Sequence, residues 1–467
     1  MVASSRKQSR RQSTKPARFT QRYAKVEDMP IVHRHAAGID LAGSASHFVA
    51  IEVDNEIEVC EFGGTTDEVK KLVAYLCDHD VTTVAMESTG VYWMVVYDLL
   101  EFAGMEVFLV NPTHINSVPG RRKDDKLDCR WLQKLHKFGL LSASFRPNPD
   151  DRPLQSLYRQ RTRLVRLQSD EMRRMQKSLD VMNLRIHKLV SDLGGVTGMR
   201  IIRAILAGQQ DPVELAKMRD HRCHCSEEEL ISALTGHYLP TQLLALKQTL
   251  ERYDMLQSQI EEIDAALEQA LREIIPLDDA EIDAHVAVNP TPIPTGKHAP
   301  TFPVMSYLQL LTGKNATTIP GIGPQLALGL QALLGRDYTK WATAKHFTSH
   351  LTLAPVQKIS GGKMLQSSTR PGAHAGAVIF KQAAAAVTRT DTALGAYYRR
   401  LAVRVGKGKA LTALARKIAV QYYNLMRYGQ VFVDIGEQHY EKRYRQQQIN
   451  SLTKRAAKLG LTLSVAA

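Results

Sequence analysis

Four carboxylates in this chain have the types and the spacing for phosphoryl-transfer chemistry. Asp40 sits near the end of the short apolar run 36–41, and Glu87 ends "VTTVAME". An unpaired buried carboxylate is costly, so Asp40 either caps something or holds a cation with partners from elsewhere. "RRKDDKLDCRWL" adds Asp124, Asp125 and Asp128. Asp125 and Asp128 are three apart and share one face of a helix. Asp124 has the position of a helix-start residue. Taken singly, each acid reads more simply as an N-cap or surface group. Their order, strand-end placement and i,i+3 spacing together favour metal binding by Asp40, Glu87, Asp125 and Asp128. Clustered carboxylates repel one another unless hard cations neutralise them. Mg²⁺ suits oxygen donors and leaves room for phosphate oxygens and water, and Mn²⁺ is a plausible substitute. Two such ions, roughly 4 Å apart, can stabilise the attacking and leaving oxygens of an in-line displacement.

A second chemical feature lies far along the chain. In "LAPVQKISGGKMLQSSTRPG", Ser360 precedes Gly361-Gly362 in what reads as a polar loop between helical segments, with Lys358, Lys363 and Arg370 around it. A serine in such a cationic loop could attack a phosphodiester; Ser367 and Ser368 are rivals. Upstream, "TTIPGIGPQLALGLQALLG" has the shape of a helix-hairpin-helix element. Gly321 and Gly323 permit the turn and Pro324 starts the second helix, so backbone N–H groups there can hold a phosphate. A simple helical hairpin is the alternative. Downstream, Arg399, Arg400, Arg404, Lys407, Lys409, Arg416 and Lys417 offer a basic surface.

These residues need elements to hold them. Runs 36–41, 46–53 and 56–62 read as strands, with Asp54-Asn55 as the tight turn between the last two. Then follow a helix over 66–80, a strand over 81–87, a helix over 92–103, a strand over 106–111, a loop "NPTHINSVPGRRK", and a helix over 124–138. Three antiparallel strands followed by α-β-α-β-α is the order of a ribonuclease H-like, α/β core. From about residue 151 the chain reads as α. One heptad seam runs through Met172, Met175, Leu179, Met182, Ile186, Leu189 and Leu193, and another from Leu243 to Ile274. The two pair within one bundle or across subunits. Residues 277–310 are Pro-rich and read as a linker. A mainly helical segment spans 311–430, and a basic tail 431–467 ends the chain.

The 467 residues suit two or three domains. Lys and Arg number 61 against 47 acids, a net charge of +14 that favours a polyanionic partner. No apolar run reaches membrane-spanning length, and there is no secretory leader pattern, so a soluble protein is expected. Residues 1–34 form a basic, disorder-prone arm, able to touch phosphates or simply solvated. Five cysteines suit a reducing cytosol. "HRCHCSEEE" crowds four soft ligands into five residues without a second pair, so it reads as a turn before a helix capped by Ser226 and Glu229 rather than as a zinc site.

Together, "GIDLA", "AMESTGVYW", "VNPTHINSVPGRRKDDKLDCRWL", "IPGIGP" and "LAPVQKISGGK" resemble the bacterial insertion-sequence transposases of the Asp-Glu-Asp-Asp type, which are RNA-guided recombinases. The resemblance covers residues from about 35 to 430. It implies a resolvase-like (RuvC-like) domain over 35–150, a coiled-coil domain over 151–276, and a transposase domain with helix-hairpin-helix and serine loop over 311–430. It assigns the metal to Asp40, Glu87, Asp125 and Asp128. It makes Ser360 the nucleophile of a covalent phosphoserine intermediate and adds Arg121, Arg122 and Lys123 to the nucleic-acid contacts. Donor and target DNA, a guide RNA, dimers pairing into tetramers with an active site shared between protomers, and a cytoplasmic, nucleoid-associated location are the implied setting. Two departures stand out. Asp124 replaces the family's Thr in Lys-Thr-Asp-x-x-Asp, and "STRPGAHAGAVIF" keeps Gly372 but lacks the Asn and the later Arg of the serine motif.

The hydrolytic alternative is a metal-dependent Holliday-junction-type nuclease that uses water in place of Ser360. The non-enzymatic one is a nucleic-acid-binding protein with a degenerate core; intact acids at all four positions count against it.

Overall fold

In the computed structural model, the described residues are 29–41, 46–88, 90–111, 125–370, 374–462 and 464, without the side chains of 125–127 and 358. The chain divides into two compact units, Met1–Arg146 and Pro147–Ala467.

The first unit is built on one mixed sheet. Strands β1 (Ala36–Leu41), β2 (Ser46–Val53) and β3 (Glu56–Gly63) are antiparallel neighbours; β4 (Thr83–Glu87) and β5 (Glu106–Val110) run parallel to β1. The strand order is β3-β2-β1-β4-β5, which is compatible with a ribonuclease H-like fold. Asp54 and Asn55 both adopt positive φ, as a two-residue hairpin turn between β2 and β3 requires. Strand alternation divides the apolar residues between two faces. Ala37, Ile39, Leu41, Val84 and Met86 face one core with Leu72 and Leu76 of α1 (Thr66–Asp78) and Val96 and Leu100 of α2 (Trp93–Phe102). Ala85 and Val110 face the other core with Leu132 and Leu135 of α3 (Asp125–Lys137).

Glycine decides how closely α3 approaches. A Cβ on Gly38 would lie 2.3 Å from the Gln133 backbone nitrogen and 2.4 Å from the Cys129 carbonyl oxygen. Both obstacles are backbone, so the helix itself would have to move. We expect Gly38→Ala to destabilise this unit by about 1–3 kcal/mol, the usual cost of overpacking a filled core; urea denaturation measures it, and an unchanged midpoint would show that the helix shifts without cost.

The second unit is mostly helical. Helix α4 (Arg152–Val181) packs antiparallel against α8 (Pro240–Ile274), as the pairs Arg161–Asp264, Gln168–Gln257 and Arg252–Glu171 require. The two expected seams therefore meet within one chain. The first seam ends early as a helix: Asn183 takes φ +57° just beyond α4. Met182, Ile186 and Leu193 instead join the core of a helical insert, α5 (Val196–Leu206), α6 (Pro212–Ala216) and α7 (Glu227–Leu234). Ser226 and Glu229 form the expected capping box of α7.

The Pro-rich stretch read as a linker carries α9 (Asp279–Val288), started by an Asp278–Glu281 capping box, and α10 (Val304–Thr312). Phe302 and Val304 are buried and Ser306 bonds Thr291, so it is an ordered, packed segment. Then come α11 (Pro324–Leu334), α12 (Ala344–His350), the strands β6 (Pro355–Ser360) and β7 (Lys363–Thr369), and α13 (Ala375–Val387), α14 (Ala393–Val405), α15 (Lys407–Tyr428) and α16 (Gly436–Lys458). The basic tail is thus largely helical. No described helix is long and apolar enough to cross a membrane.

Candidate metal centre and serine hairpin

The register of the sheet and the direction of α3 decide which acids come together. Asp40 lies opposite Phe48 of β2, and Ile39 lies opposite Met86 of β4. One further step of that parallel register sets Asp40 beside Glu87, at the carboxyl ends of two neighbouring strands. In-register residues of adjacent strands share a face, and Asp40 shares the face of Gly38, which α3 covers.

Helix α3 runs antiparallel to β1. Its C-terminal end is held beside the strand starts: His136 Nε2 lies 2.8 Å from Thr83 Oγ1, and Lys137 bonds Glu52. Burial pushes the His136 pKa down to about 4, so this ring is neutral near pH 7. The middle of α3 crosses Gly38 at Cys129 and Gln133. Two more strand residues advance about 6.6 Å, which about four helical residues match. Asp128 and the backbone of Asp125 therefore lie at the level of Asp40 and Glu87. The Cys129 thiol reports the same closeness. Burial raises its pKa to about 12, with the negative charge of Asp40 contributing. Asp40, Glu87 and Asp128 are all half-buried and each has partners.

Among the described residues no group of three or more His, Cys, Asp or Glu is placed to hold a metal ion. The Asp125 side chain, and Arg121, Arg122 and Lys123, lie outside the described residues. The neighbouring pair Asp40 and Glu87, hard oxygen donors at a strand-end rim, suits Mg²⁺ chemically.

Ser360 is not in a loop between helices. It ends β6 and pairs with Lys363 across a two-residue turn in which Gly361 (φ +54°) and Gly362 (φ +74°) both take left-handed backbone. Such a turn matches strand twist and favours Gly-Gly, so the glycines serve a β-hairpin instead of loose chain. The register shifts between Lys358 and Ile359, a bulge just before the serine. Ser360, Lys363 and Arg370 are exposed; the Lys358 side chain is outside the described residues. Of the rival serines, Ser367 pairs with Gln357, and Ser368 lies opposite Val356 and accepts a bond from Gln366. Both sit along the strand, away from the tip.

At the third motif, Pro324 is the first residue of α11 and Gly323 its N-cap, with nothing within 4 Å of a Cβ built there. Gly321 (φ +86°) is wedged against α13: a Cβ would meet the Ala383 carbonyl at 2.3 Å. The basic surface is smaller than its sequence suggests. Arg399 bonds Glu437 and Arg400 bonds Glu441, so both cations hold α16.

The expectations from sequence leave out Gly38, although "GID" gives its signal: a glycine two residues before the acid, on the same strand face. The His136–Thr83 tie has no comparable signal.

Two family models match the chain. One, described as transposase of the IS110 Asp-Glu-Asp-Asp type, matches residues 37–184, and one described as transposase of the IS116/IS110/IS902 family matches residues 313–399. Together they take in about half of the chain. The first contains Asp40, Glu87, Asp125 and Asp128, and the second contains Ser360. No curated protein matches it.

Proposed function

Because the chain belongs to the IS110-type insertion-sequence transposases, enzymes that act on DNA, we propose that it exchanges DNA strands through a covalent phosphoserine intermediate formed by Ser360. The Asp-Glu-Asp-Asp type suggests dependence on a divalent metal. Asp40, Glu87, Asp125 and Asp128 would hold it, and Mg²⁺ bound there would neutralise charge on the phosphate oxygens. What supports this reading is the parallel register of β1 and β4, which carries Asp40 and Glu87 to neighbouring strand ends on the face that α3 covers.

In the proposed step the Ser360 hydroxyl loses its proton and attacks a phosphodiester phosphorus. A bond from the serine oxygen to phosphorus forms as a phosphorus–sugar oxygen bond breaks, and the departing sugar oxygen takes up a proton to become a free hydroxyl. A sugar hydroxyl from another strand then reverses the step, so each broken phosphodiester is replaced and no external energy source is needed. The hairpin tip supports this role, because an exposed serine on a narrow turn can reach a backbone that a flat surface cannot. Lys363 and Arg370, with Lys358, would hold phosphates nearby. The turn at Gly321 and Gly323 and the basic run Arg121, Arg122 and Lys123 belong to the same reading. So do a guide RNA, assembly of dimers into tetramers, a cytoplasmic, nucleoid-associated location, and the division of residues 147–467 into coiled-coil, transposase and tail segments.

The test uses purified protein with RNA transcribed from the element's flanks, donor and target DNA, and Mg²⁺. Products are denatured and examined for DNA attached to protein. The wild type is expected to give a conjugate that Ser360→Ala lacks while Ser367→Ala and Ser368→Ala retain it. Cleavage without a conjugate, unchanged by Ser360→Ala, would instead mean water attack and a junction-type nuclease.

A further inference from the structure

The C-terminal helix α16 encloses a cavity that the transposition chemistry does not use. It has a volume of about 410 Å³ and is lined by Tyr397 of α14, Lys417 of α15, Phe432, and Tyr440, Arg443 and Tyr444 of α16. That size is within the range of small-ligand sites. All of these residues but Tyr397 lie beyond both family matches.

Its chemistry is unusual for a packing defect. The Lys417 ammonium lies 4.5 Å from the Tyr397 ring centre and 5.8 Å from that of Tyr440. Burial and the nearby positive Arg443 both lower the Lys417 pKa. Neither cation has a carboxylate partner among the described residues. The two acids of α16, Glu437 and Glu441, are taken up by Arg399 and Arg400. After Glu441 the helix has no acid at all, and its cations continue through Arg445, Lys454, Arg455 and Lys458. Gln447 lines both this cavity and a shallow groove that reaches Lys454, Arg455 and Lys458. From Arg443 to Lys458 that is about 22 Å of helix.

Two like charges beside an aromatic-lined cavity, with no acid between them, call for an anion that also carries a flat ring. A basic track leading away from the cavity calls for a chain of such anions. We propose that this pocket holds an unstacked nucleobase of single-stranded nucleic acid, with Lys417 and Arg443 on its phosphate and the following phosphates along α16. Base–aromatic stacking with a cationic backbone groove is how unpaired strands are bound without sequence preference. A duplex cannot offer a base to the pocket without unpairing. The strand could be DNA or RNA, because the base and the phosphate are common to both.

The experiment measures anisotropy of labelled twelve-residue oligo(dT), oligo(rU) and a duplex of the same length with the full-length protein. Wild-type protein is expected to bind the single strands more tightly than the duplex. Arg443→Gln and Lys417→Gln should each weaken single-strand binding three- to tenfold and flatten its salt dependence by about one ion. Tyr444→Ala should weaken it about tenfold or more, and Tyr444→Phe should restore it, since stacking needs the ring and not the hydroxyl. Equal losses on both single strands assign the site to unpaired nucleic acid in general; loss on one alone names the sugar. Photocrosslinking of a 4-thiothymidine strand followed by peptide mapping should label peptides holding Tyr397, Tyr440 or Tyr444. Equal losses for duplex and single strand, unchanged affinity in all variants, or crosslinks confined to other peptides would overturn the proposal. None of these readouts needs transposition, so a failed phosphoserine test leaves the outcome readable.

Discussion

Asp40→Asn should lower Mg²⁺-dependent strand cleavage about 10³-fold while the protein still folds. The substitution keeps the size and one acceptor oxygen and removes one negative charge. If Asp40 and Glu87 share a metal, that charge acts directly on the ion that stabilises the reacting phosphate. Three decades of rate correspond to about 4 kcal/mol, within the several kcal/mol that metal-ion charge stabilisation supplies. Both proteins should fold without metal, and the difference between them lies in their response to the ion. Mg²⁺ should therefore raise the melting temperature of the wild type more than that of the variant. Asp124→Asn, at the position where this chain departs from the family, should cleave within a few-fold of wild type. Asp40→Asn activity within tenfold of wild type, or equal Mg²⁺ stabilisation of both proteins, would remove Asp40 from the metal centre.

The largest stability effect is expected at Asp264→Ala. Arg161 and Asp264 form a buried ion pair between α4 and α8, with side chains 3% and 0% exposed. Arg161 Nη2 also donates to the His298 carbonyl at 3.0 Å, and the Thr301 amide donates to Asp264 at 3.2 Å. Removing the carboxylate strands a guanidinium in the interior and leaves an amide unpaired. Breaking such a pair costs about 3–5 kcal/mol. Replacing both partners by apolar residues, Arg161→Met with Asp264→Leu, should recover most of that loss, because no charge is left uncompensated. Chemical denaturation of the three proteins measures both effects. A single variant within 1 kcal/mol of wild type would mean that water reaches the guanidinium.

The parts of the molecule that were legible in sequence are those where one local pattern dominates. Alternating apolar residues with Asp54-Asn55 mark β1–β3, and the i,i+3 acids mark the start of α3. The serine hairpin is hard to see in the sequence because Gly361-Gly362 also suits a flexible loop. The same dipeptide between Ser360 and Lys363 is a two-residue turn signal, and the alternation around it is polar and weak. The first seam continues past Val181 in the sequence because Met182, Ile186 and Leu193 are as apolar as a helix face demands. Only Asn183, a residue tolerant of positive φ, marks the break. The Pro-rich segment hid α9 because its prolines lie after the helix, while Asp278 and Glu281 announce its start. What no local pattern could reveal is tertiary: the His136–Thr83 tie that fixes the end of α3, and the use of Arg399 and Arg400 to hold a later helix.

The long α4–α8 pair has a consequence for how this arm can change in length. Helix α8 spans 35 residues, about 52 Å. Its contacts with α4 are keyed at intervals by Leu256, Ile260 and the Arg161–Asp264 pair. One residue inserted between Leu250 and Leu256 would turn everything beyond it by about 100°. The apolar residues would leave the seam and Asp264 would leave its partner. Seven residues added to both helices at the same level would keep every side chain on its face and lengthen the arm by about 10 Å. The pair can therefore be resized in heptad steps made on both helices at once, and single-residue insertions and deletions in its centre should be rejected at the level of folding.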